Sequence, residues 1–294
     1  MSRRPGTRHI ARTVITWGAA LLAAGAVPTF AAAQEAAPPA PPADAQPPSV
    51  DPDLRVDLLQ PDFNLSALPT TLRVPQGKWN FRITHRFTRA LGAGDFGSLV
   101  ENLFGLDSSA QVGLEFRYGL VPGTQVGIHR TSGRTIFLFG QHSLLRERDG
   151  HAAGLDLLVA LEGENNLREH RQGVFGAVLS RAVGGRAVLY VEPAVVVNAN
   201  PADVGDDSTF LVGLGTRIRI SQNGYITAEF SPRLAGYRPG DGQISIGLER
   251  RAGGHLFQLN VSNGFGTTFG HLARGGVSYD DWYLGFNISR KFFR

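Results

Sequence analysis

The chain has 294 residues, of which 42% are apolar, enough for one large β domain and unlike a protein built from many membrane-spanning helices. Its formal charge of +4 reflects residues 1–33, which hold four arginines and no acid, so that 25 basic and 25 acidic residues follow them. A neutral mature chain argues against a nucleic-acid partner. The absence of cysteine excludes disulfides and an acylated N-terminal cysteine.

The N-terminus has the three parts of a secretory signal peptide. A basic stretch ends at Arg12, residues 14–30 are apolar, and Ala31, Ala32 and Ala33 precede Gln34. A membrane anchor is the alternative, but the glycines and the proline within the apolar stretch weaken it. We therefore predict that residues 1–33 are a signal peptide cleaved near Ala33 and that the protein is exported.

Residues 34–76 carry no strand pattern. The stretch 35–52 is rich in proline and alanine, which predicts a disordered or polyproline spacer in the periplasm. The stretch 53–76 contains Pro61, Pro69 and Pro75, and it either forms one short turn or packs against the lower rim of the following domain. We assign 34–76 as a periplasmic linker and N-terminal segment, with those two arrangements open.

Residues 77–294 read as twelve short amphipathic segments. In 110–119, for example, Val112, Leu114 and Phe116 alternate with Gly113 and Glu115. Alternate residues of a strand point to opposite faces, and 8–13 residues suit the ~9–11 that cross a bilayer as a tilted strand. This pattern predicts an all-β fold, an up-and-down antiparallel transmembrane β-barrel of 12 strands.

The connections between the segments alternate in length, which distinguishes a barrel from a soluble sandwich. The short connections are 120–123, 148–151, 183–186, 221–224 and 251–254. The long ones are 90–109, 162–171, 198–207, 234–242 and 264–279, and only 131–134 is short where a long loop is due. Outer-membrane barrels have short periplasmic turns and longer outer loops. Both termini are therefore expected in the periplasm.

The polar face of these segments carries charges at mid-strand, five arginines and five acids. They are Arg82, Arg86, Glu115, Arg117, Asp156, Glu192, Arg217, Arg219, Glu229 and Glu249. Buried charges need partners. We expect Arg82, Arg117, Arg217 and Arg219 to pair with Glu115, Glu192, Glu229 or Glu249. A fully paired network would plug the lumen, whereas separated acidic and basic walls would make a selective pore or a ligand site.

We expect no catalytic residue, no metal site and no cofactor. The histidines lack the i,i+2 or i,i+4 spacing of metal ligands. His142 and Ser143 are adjacent, so on a strand they face opposite sides and cannot form a nucleophile–base pair.

Several stretches resemble a family of exported β-barrels known only as a domain of unknown function. They are residues 69–71, 75–78 and 83–87 near the start, then 255–259, 262–263 and the closing segment 281–292. The resemblance covers about 69–292 and implies a barrel without an established activity. Many outer-membrane barrels end in an aromatic residue that the assembly machinery recognises, whereas this chain ends in Phe292, Phe293 and Arg294.

The sequence thus predicts an outer-membrane barrel that passes or binds a small solute or has a structural role in the envelope. Its expected partners are outer-membrane lipids and the assembly machinery; its oligomeric state is not readable. The alternatives are an outer-membrane enzyme acting on lipid and a soluble periplasmic β protein that binds an apolar ligand.

Overall fold

The computed structural model describes residues 57–202, 207–276 and 278–293; the predicted signal peptide and spacer lie outside them. The strands in these parts are β1 (Trp79–Ala90), β2 (Ala110–Val121), β3 (Thr124–Thr131), β4 (Ile136–Leu145), β5 (Gly154–Gly163), β6 (Glu169–Val183), β7 (Ala187–Val197), β8 (Thr209–Arg219), β9 (Gly224–Ser231), β10 (Arg233–Gly236), β11 (Gln243–Ala252), β12 (His255–Ser262) and β13 (Tyr283–Lys291). The helices are α1 (Phe96–Glu101), α2 (Glu164–Leu167) and α3 (Phe269–Arg274), with single 3-10 turns at Leu103–Gly105 and Glu147–Asp149.

The strands form one closed antiparallel wall. From β1 to β9 and from β11 to β13 each strand pairs with the next along the chain, β9 pairs with β11, and β1 pairs with β13 to close the ring. Both β9 and β10 pair with β8, and only Pro232, which has no N–H to donate, separates them. Because these two pieces act as one strand of the wall, the structure confirms the predicted 12-stranded barrel.

The outer surface of the wall is apolar. Leu114, Phe116, Val159, Phe175 and Leu248 are each 40–58% exposed, although they lie in regular strands. Exposed apolar area of this extent faces lipid and would make a soluble protein aggregate. The soluble β protein considered above is therefore not supported. Among the described residues, no helix has the length and apolarity to cross a membrane.

The connections are sorted by length between the two rims. The strand ends that the 91–109, 198–208, 237–242 and 263–282 connections join lie on one rim, and the two-residue turns 122–123 and 253–254 lie on the other. The predicted long loop 162–171 is shorter than expected, because β5 and β6 extend to leave only residues 164–168 between them. The parity of the loops otherwise follows the prediction.

Residues 61–75 lie inside the barrel, and we call them the luminal hairpin. Phe63, Leu65 and Leu68 are buried, and Asn64 and Pro69 form an antiparallel bridge. The N–H of Thr70 donates to the Phe63 carbonyl at 2.8 Å, and that of Leu65 donates to the Leu68 carbonyl at 2.8 Å. Of the two arrangements left open by the sequence, a turn is present, but it lies within the wall and not below its rim.

Residues 263–276 fold back into the opposite mouth of the barrel, and we call them the lid. It contains α3, whose first turn is capped by the Thr268 hydroxyl accepting the His271 N–H at 3.3 Å. Phe269, Leu272 and Ala273 of α3 belong to the same buried apolar cluster as Leu65 and Leu68 of the hairpin. The barrel is therefore filled from both ends, and the two inserts share one core.

Candidate functional site

The wall leaves room for the hairpin at two glycines of β8. A Cβ at Gly213 would lie 2.7 Å from Leu68 Cδ2, and a Cβ at Gly215 would lie 2.5 Å from Leu65 Cδ1. Both distances are shorter than real Cβ contacts, so a side chain at either position would require Leu68 or Leu65 to shift. These strand glycines, which are unfavourable in the middle of a strand, thus allow a close approach of the insert.

The hairpin carbonyls face basic side chains of β1 and β13. Arg82 Nη2 donates to the carbonyls of Leu65 at 3.1 Å and Ser66 at 2.6 Å. Arg86 Nη2 also donates to the Ser66 carbonyl, at 3.2 Å, while its Nη1 donates to Asn287 Oδ1 at 2.8 Å. Lys291 Nζ donates to the Pro61 carbonyl. This side of the lumen is therefore a basic wall that holds backbone oxygens.

The hairpin amides face acidic side chains. Glu229 of β9 accepts the N–H groups of Ala67 and Leu68, each at 3.0 Å. Glu192 lies on β7, which is six strands from β1 in either direction around the wall and so opposite it. Both carboxylate oxygens of Glu192 are buried, and no hydrogen bond reaches them from the described residues. We call Glu192 and Glu229 the acidic wall.

Two arginines do contact carboxylates of the wall. Arg117 Nη2 donates to Glu115 Oε1 at 3.0 Å, and Arg217 Nε donates to Glu249 Oε2 at 2.8 Å. Arg217 Nη2 also donates to the Asn64 carbonyl at 2.6 Å. Both ion pairs are buried in the lumen, the first within β2 and the second between β8 and β11, and in each the arginine also bonds Asn64 of the hairpin.

The other predicted pairs are not formed, which corrects our expectation. Arg82 and Arg86 bind hairpin carbonyls in place of glutamates. Arg219 lies at the rim, half-exposed, and donates to the carbonyls of Ser221 and Gln222, because β8 ends there and the turn offers nearer acceptors. Asp156 is buried and accepts Gln141 Nε2 at 2.7 Å. Nine of the ten predicted residues are buried in the lumen, and Arg219 lies at its rim.

Uncharged wall residues that the sequence analysis missed also hold the hairpin. Gln141 Nε2 donates to the Thr70 carbonyl at 2.8 Å, Gln125 Nε2 donates to the Leu72 carbonyl at 3.2 Å, and Ser289 donates to Asp62 Oδ1 at 2.8 Å. A search restricted to charges could not find them. The alternation of the strands indicates that these residues face inward. The sequence did not indicate that the hairpin, which they bind, lies in the lumen.

The lid is fixed to the wall by a second set of polar contacts. Glu162 of β5 accepts the Thr268 hydroxyl at 3.0 Å and the Gly270 N–H at 3.0 Å. Arg274 lies 3.8 Å from the same carboxylate. The His271 ring hydrogen-bonds Thr135 at 3.3 Å, and burial, Arg274 and His129 lower the pKa of His271 to about 3. The imidazole is therefore neutral when the lid is docked.

Hairpin, lid and wall meet around a cavity of about 20 Å³, which is room for about one water molecule. Its lining includes Asn64 of the hairpin, Thr267 of the lid, and Glu115 and Phe139 of the wall. At this level the described residues leave no wide passage, because the two inserts and the long side chains occupy the interior.

The arrangement of the histidines does not suggest catalysis. One ring nitrogen each of His129, His142 and His271 hydrogen-bonds a threonine hydroxyl. His142 points outward from β4, whereas the adjacent Ser143 accepts a hydrogen bond from Arg73. Within the described parts of the chain, no three His, Cys, Asp or Glu side chains are grouped as metal ligands.

Comparison with known proteins identifies the family. The "Membrane bound beta barrel domain (DUF5777)" family matches residues 62–292, and no curated protein matches the sequence. The fold is similar to that of the NanC porin (8% identity, TM-score 0.50, covering 73% of this chain and 100% of that one) and of the KdgM porin (6%, 0.48, 73% and 99%). The family match over residues 62–292 includes nearly all of the luminal hairpin as well as the wall. The chain belongs to this family of membrane-bound β-barrel domains of unknown function.

Proposed function

We propose that this barrel passes small solutes across the outer membrane and that the luminal hairpin and the lid close it at rest. The observation that carries the proposal is the way the hairpin is held. It contributes no strand to the wall, which closes through β1 and β13 without it. Arg82, Arg217 and Glu229 hold its backbone through side-chain hydrogen bonds. Such an insert can leave while the wall stays intact.

The size of the wall supports passage. Twelve strands enclose an interior between that of eight-stranded barrels, which side chains fill, and that of sixteen-stranded open channels. Once the hairpin is removed, charged and amide side chains would face water, as in porin lumens. The likeness of the fold to porins agrees with a passage role and gives no information about the solute.

The proposal includes a location and a set of partners. The apolar outer surface contacts outer-membrane lipids, and the assembly machinery inserts the chain through the closing strand, which is followed by Phe292 and Phe293. The chain acts as a channel without enzymatic activity. This proposal requires the exported topology that the sequence predicts, with both termini in the periplasm.

The test charges the apolar side of the hairpin. Leu65→Asp with Leu68→Asp places two carboxylates in a buried apolar cluster, where an isolated charge is not tolerated, so the hairpin should leave the lumen. The matched control is Leu103→Asp with Leu106→Asp, two exposed leucines of the 91–109 loop. Each mature protein is measured in planar bilayers, and its folding is checked by the change of gel mobility on boiling.

We expect little or no current from the wild type and from the control, and steady current from the Leu65→Asp, Leu68→Asp protein. Because the lid packs on the same cluster, charging the hairpin also removes apolar contacts of the lid. A folded double variant that carries no steady current would contradict the passage role and would favour a structural role in the envelope.

A further inference from the structure

The tip of the luminal hairpin bridges two walls of opposite charge. The Ser66 carbonyl accepts hydrogen bonds from Arg82 and Arg86, and the N–H of the next residue, Ala67, donates to Glu229. The carbonyl oxygen of the Ser66–Ala67 peptide group thus faces the arginines, and the N–H of the same peptide group faces the glutamate. The position is built to hold a group that is negative on one side and positive on the other.

No ion pair among the described residues joins Arg82 or Arg86 of β1 to Glu192 or Glu229 of the acidic wall. Arg117 is paired with Glu115 and Arg217 with Glu249 by contacts that do not involve the hairpin. The polar contacts of Arg82 and Glu229, in contrast, go to the hairpin backbone. When the hairpin leaves, two arginines on β1 and two glutamates on β7 and β9 would face each other across the lumen.

Glu192 of the acidic wall lies at the same level as the hairpin tip and lacks a hydrogen-bond partner in the part of the chain that the structure describes. It pairs in register with Gly213, the glycine against which Leu68 packs, so it lies at the level of the hairpin tip. Its two buried oxygens lack a hydrogen-bond donor among the described residues. A buried carboxylate in this condition is poorly compensated, and a cationic group at the position of the tip would supply the missing partner.

We infer that the space vacated by the hairpin tip binds a small zwitterion, with its carboxylate on Arg82 and Arg86 and its ammonium group on Glu229 and Glu192. The chemical class is that of free amino acids and very short peptides, and this inference rests on the proposed passage role. Arginine binds carboxylates through two parallel donors, and charge-assisted hydrogen bonds are about twice as strong as neutral ones. A solute of a single charge would be attracted by one wall and repelled by the other.

The experiment compares four solutes of similar size that differ in charge. They are glycylglycine, which is a zwitterion, N-acetylglycine, which is an anion, glycinamide, which is a cation, and N-acetylglycinamide, which is neutral. Liposomes containing the Leu65→Asp, Leu68→Asp protein are loaded, and the entry of each solute is followed. We expect glycylglycine to enter severalfold faster than each of the other three.

Variants of the two walls test the assignment of the charges. In the same background, Arg82→Gln with Arg86→Gln should remove the advantage of the zwitterion and favour glycinamide. Glu192→Gln with Glu229→Gln should favour N-acetylglycine. Arg219→Gln, which changes an arginine that donates to turn carbonyls at the rim, is the matched control and should leave the order of the four solutes unchanged.

The outcomes separate the two proposals. If a folded released variant passes all four solutes at similar rates, the zwitterion site is wrong and the passage role remains. If wall variants and the Arg219→Gln control change the order equally, the zwitterion site is also wrong. If a folded released variant passes none of the solutes, the passage role fails and the zwitterion site fails with it.

Discussion

Both carboxylate oxygens of Glu229 accept the backbone N–H of Ala67, each at 3.0 Å. The Leu68 N–H donates to the same group at 3.0 Å. A buried acid on the wall is thus satisfied by the backbone of an inserted segment, and not by an arginine of the wall. Removal of the segment would expose that acid to the lumen, so the position of the hairpin and the charge of the lumen are linked.

We expect Glu229→Ala to release the hairpin more readily than Glu229→Gln. Alanine leaves two buried N–H groups without an acceptor, and each such group costs roughly 1–3 kcal/mol, whereas glutamine keeps one acceptor oxygen. Brief channel openings should therefore be most frequent in Glu229→Ala, rarer in Glu229→Gln and rarest in the wild type. Single-channel recording measures these frequencies. Glu101→Ala, in the exposed part of the 91–109 loop, is the control; equal frequencies in all four proteins would contradict the role of Glu229.

The contact between Gly215 and Leu65 predicts the effect of a larger residue. Gly215→Val places carbon atoms where Leu65 packs, so the hairpin should be displaced and residues 57–76 should become sensitive to protease from the periplasmic side. Gly140→Val is the matched control, because the nearest atom to a Cβ at Gly140 is Val159 Cγ2 at 3.8 Å. Equal protection of the hairpin in both variants would show that the wall tolerates the extra volume.

The buried pair Arg217–Glu249 should behave differently when one or both partners are replaced. Glu249→Leu leaves the guanidinium uncompensated and should lower the free energy of unfolding by roughly 3–5 kcal/mol. Arg217→Met with Glu249→Leu should recover much of this loss, although the hydrogen bond to the Asn64 carbonyl stays broken. Urea unfolding in detergent or lipid measures both changes. Arg217→Met alone completes the cycle, and a loss in the double variant equal to the sum of the two single losses would mean that the residues do not interact.

The alternation of short and long connections predicts that the long loops face outside the cell. The structure shows which of these loops is exposed to protease. The 91–109 loop exposes Phe96, Leu103 and Phe104, whereas the lid is largely buried. Proteinase K added to intact cells should therefore cut within 91–109 and leave the lid intact. Permeabilised cells are the control in which both rims are accessible. A cut at residues 220–223 in intact cells would mean that the topology is inverted.

The lowered pKa of His271 predicts that the lid is released at low pH. The imidazole has a pKa of about 3 when docked and about 6.5 when exposed, so docking is favoured above pH ~6.5 and is lost progressively below it. Protease cleavage within 264–276 should be faster at pH 4.5 than at pH 7.5. Glu162 and Arg274 also face this ring, so the control is His271→Gln, which keeps both of them. If the variant shows the same pH dependence as the wild type, the titrating group lies elsewhere.

The wall could be predicted because a single physical rule determines it. Glu115 and Arg117 face inward and Leu114 and Phe116 face outward, as their alternation requires. The apolar face contacts lipid and the polar face contacts the lumen, so pattern, length and loop parity all indicated the same fold. The glycines in the strands were also a readable sign of close packing.

The position of the hairpin could not be predicted from the sequence, because its residue pattern resembles that of a linker. Residues 61–75 have no strand period, and three prolines interrupt them. Their apolar residues, such as Phe63 and Leu68, find a core only in the lumen, which exists after distant strands have closed. The partners of Arg82 and Arg86 could not be predicted for the same reason, since those arginines bind backbone atoms of a segment assigned to the periplasm.

The first described segment of the chain contacts its last strand. Ser289 donates to Asp62 across 227 positions of sequence, and Lys291 reaches Pro61 across 230. Contacts of such separation form late, since the long intervening chain must order first. Closing the ring and enclosing the hairpin therefore depend on the same residues of β13. A barrel that closed before residues 61–75 were in place would exclude the luminal hairpin from its own lumen.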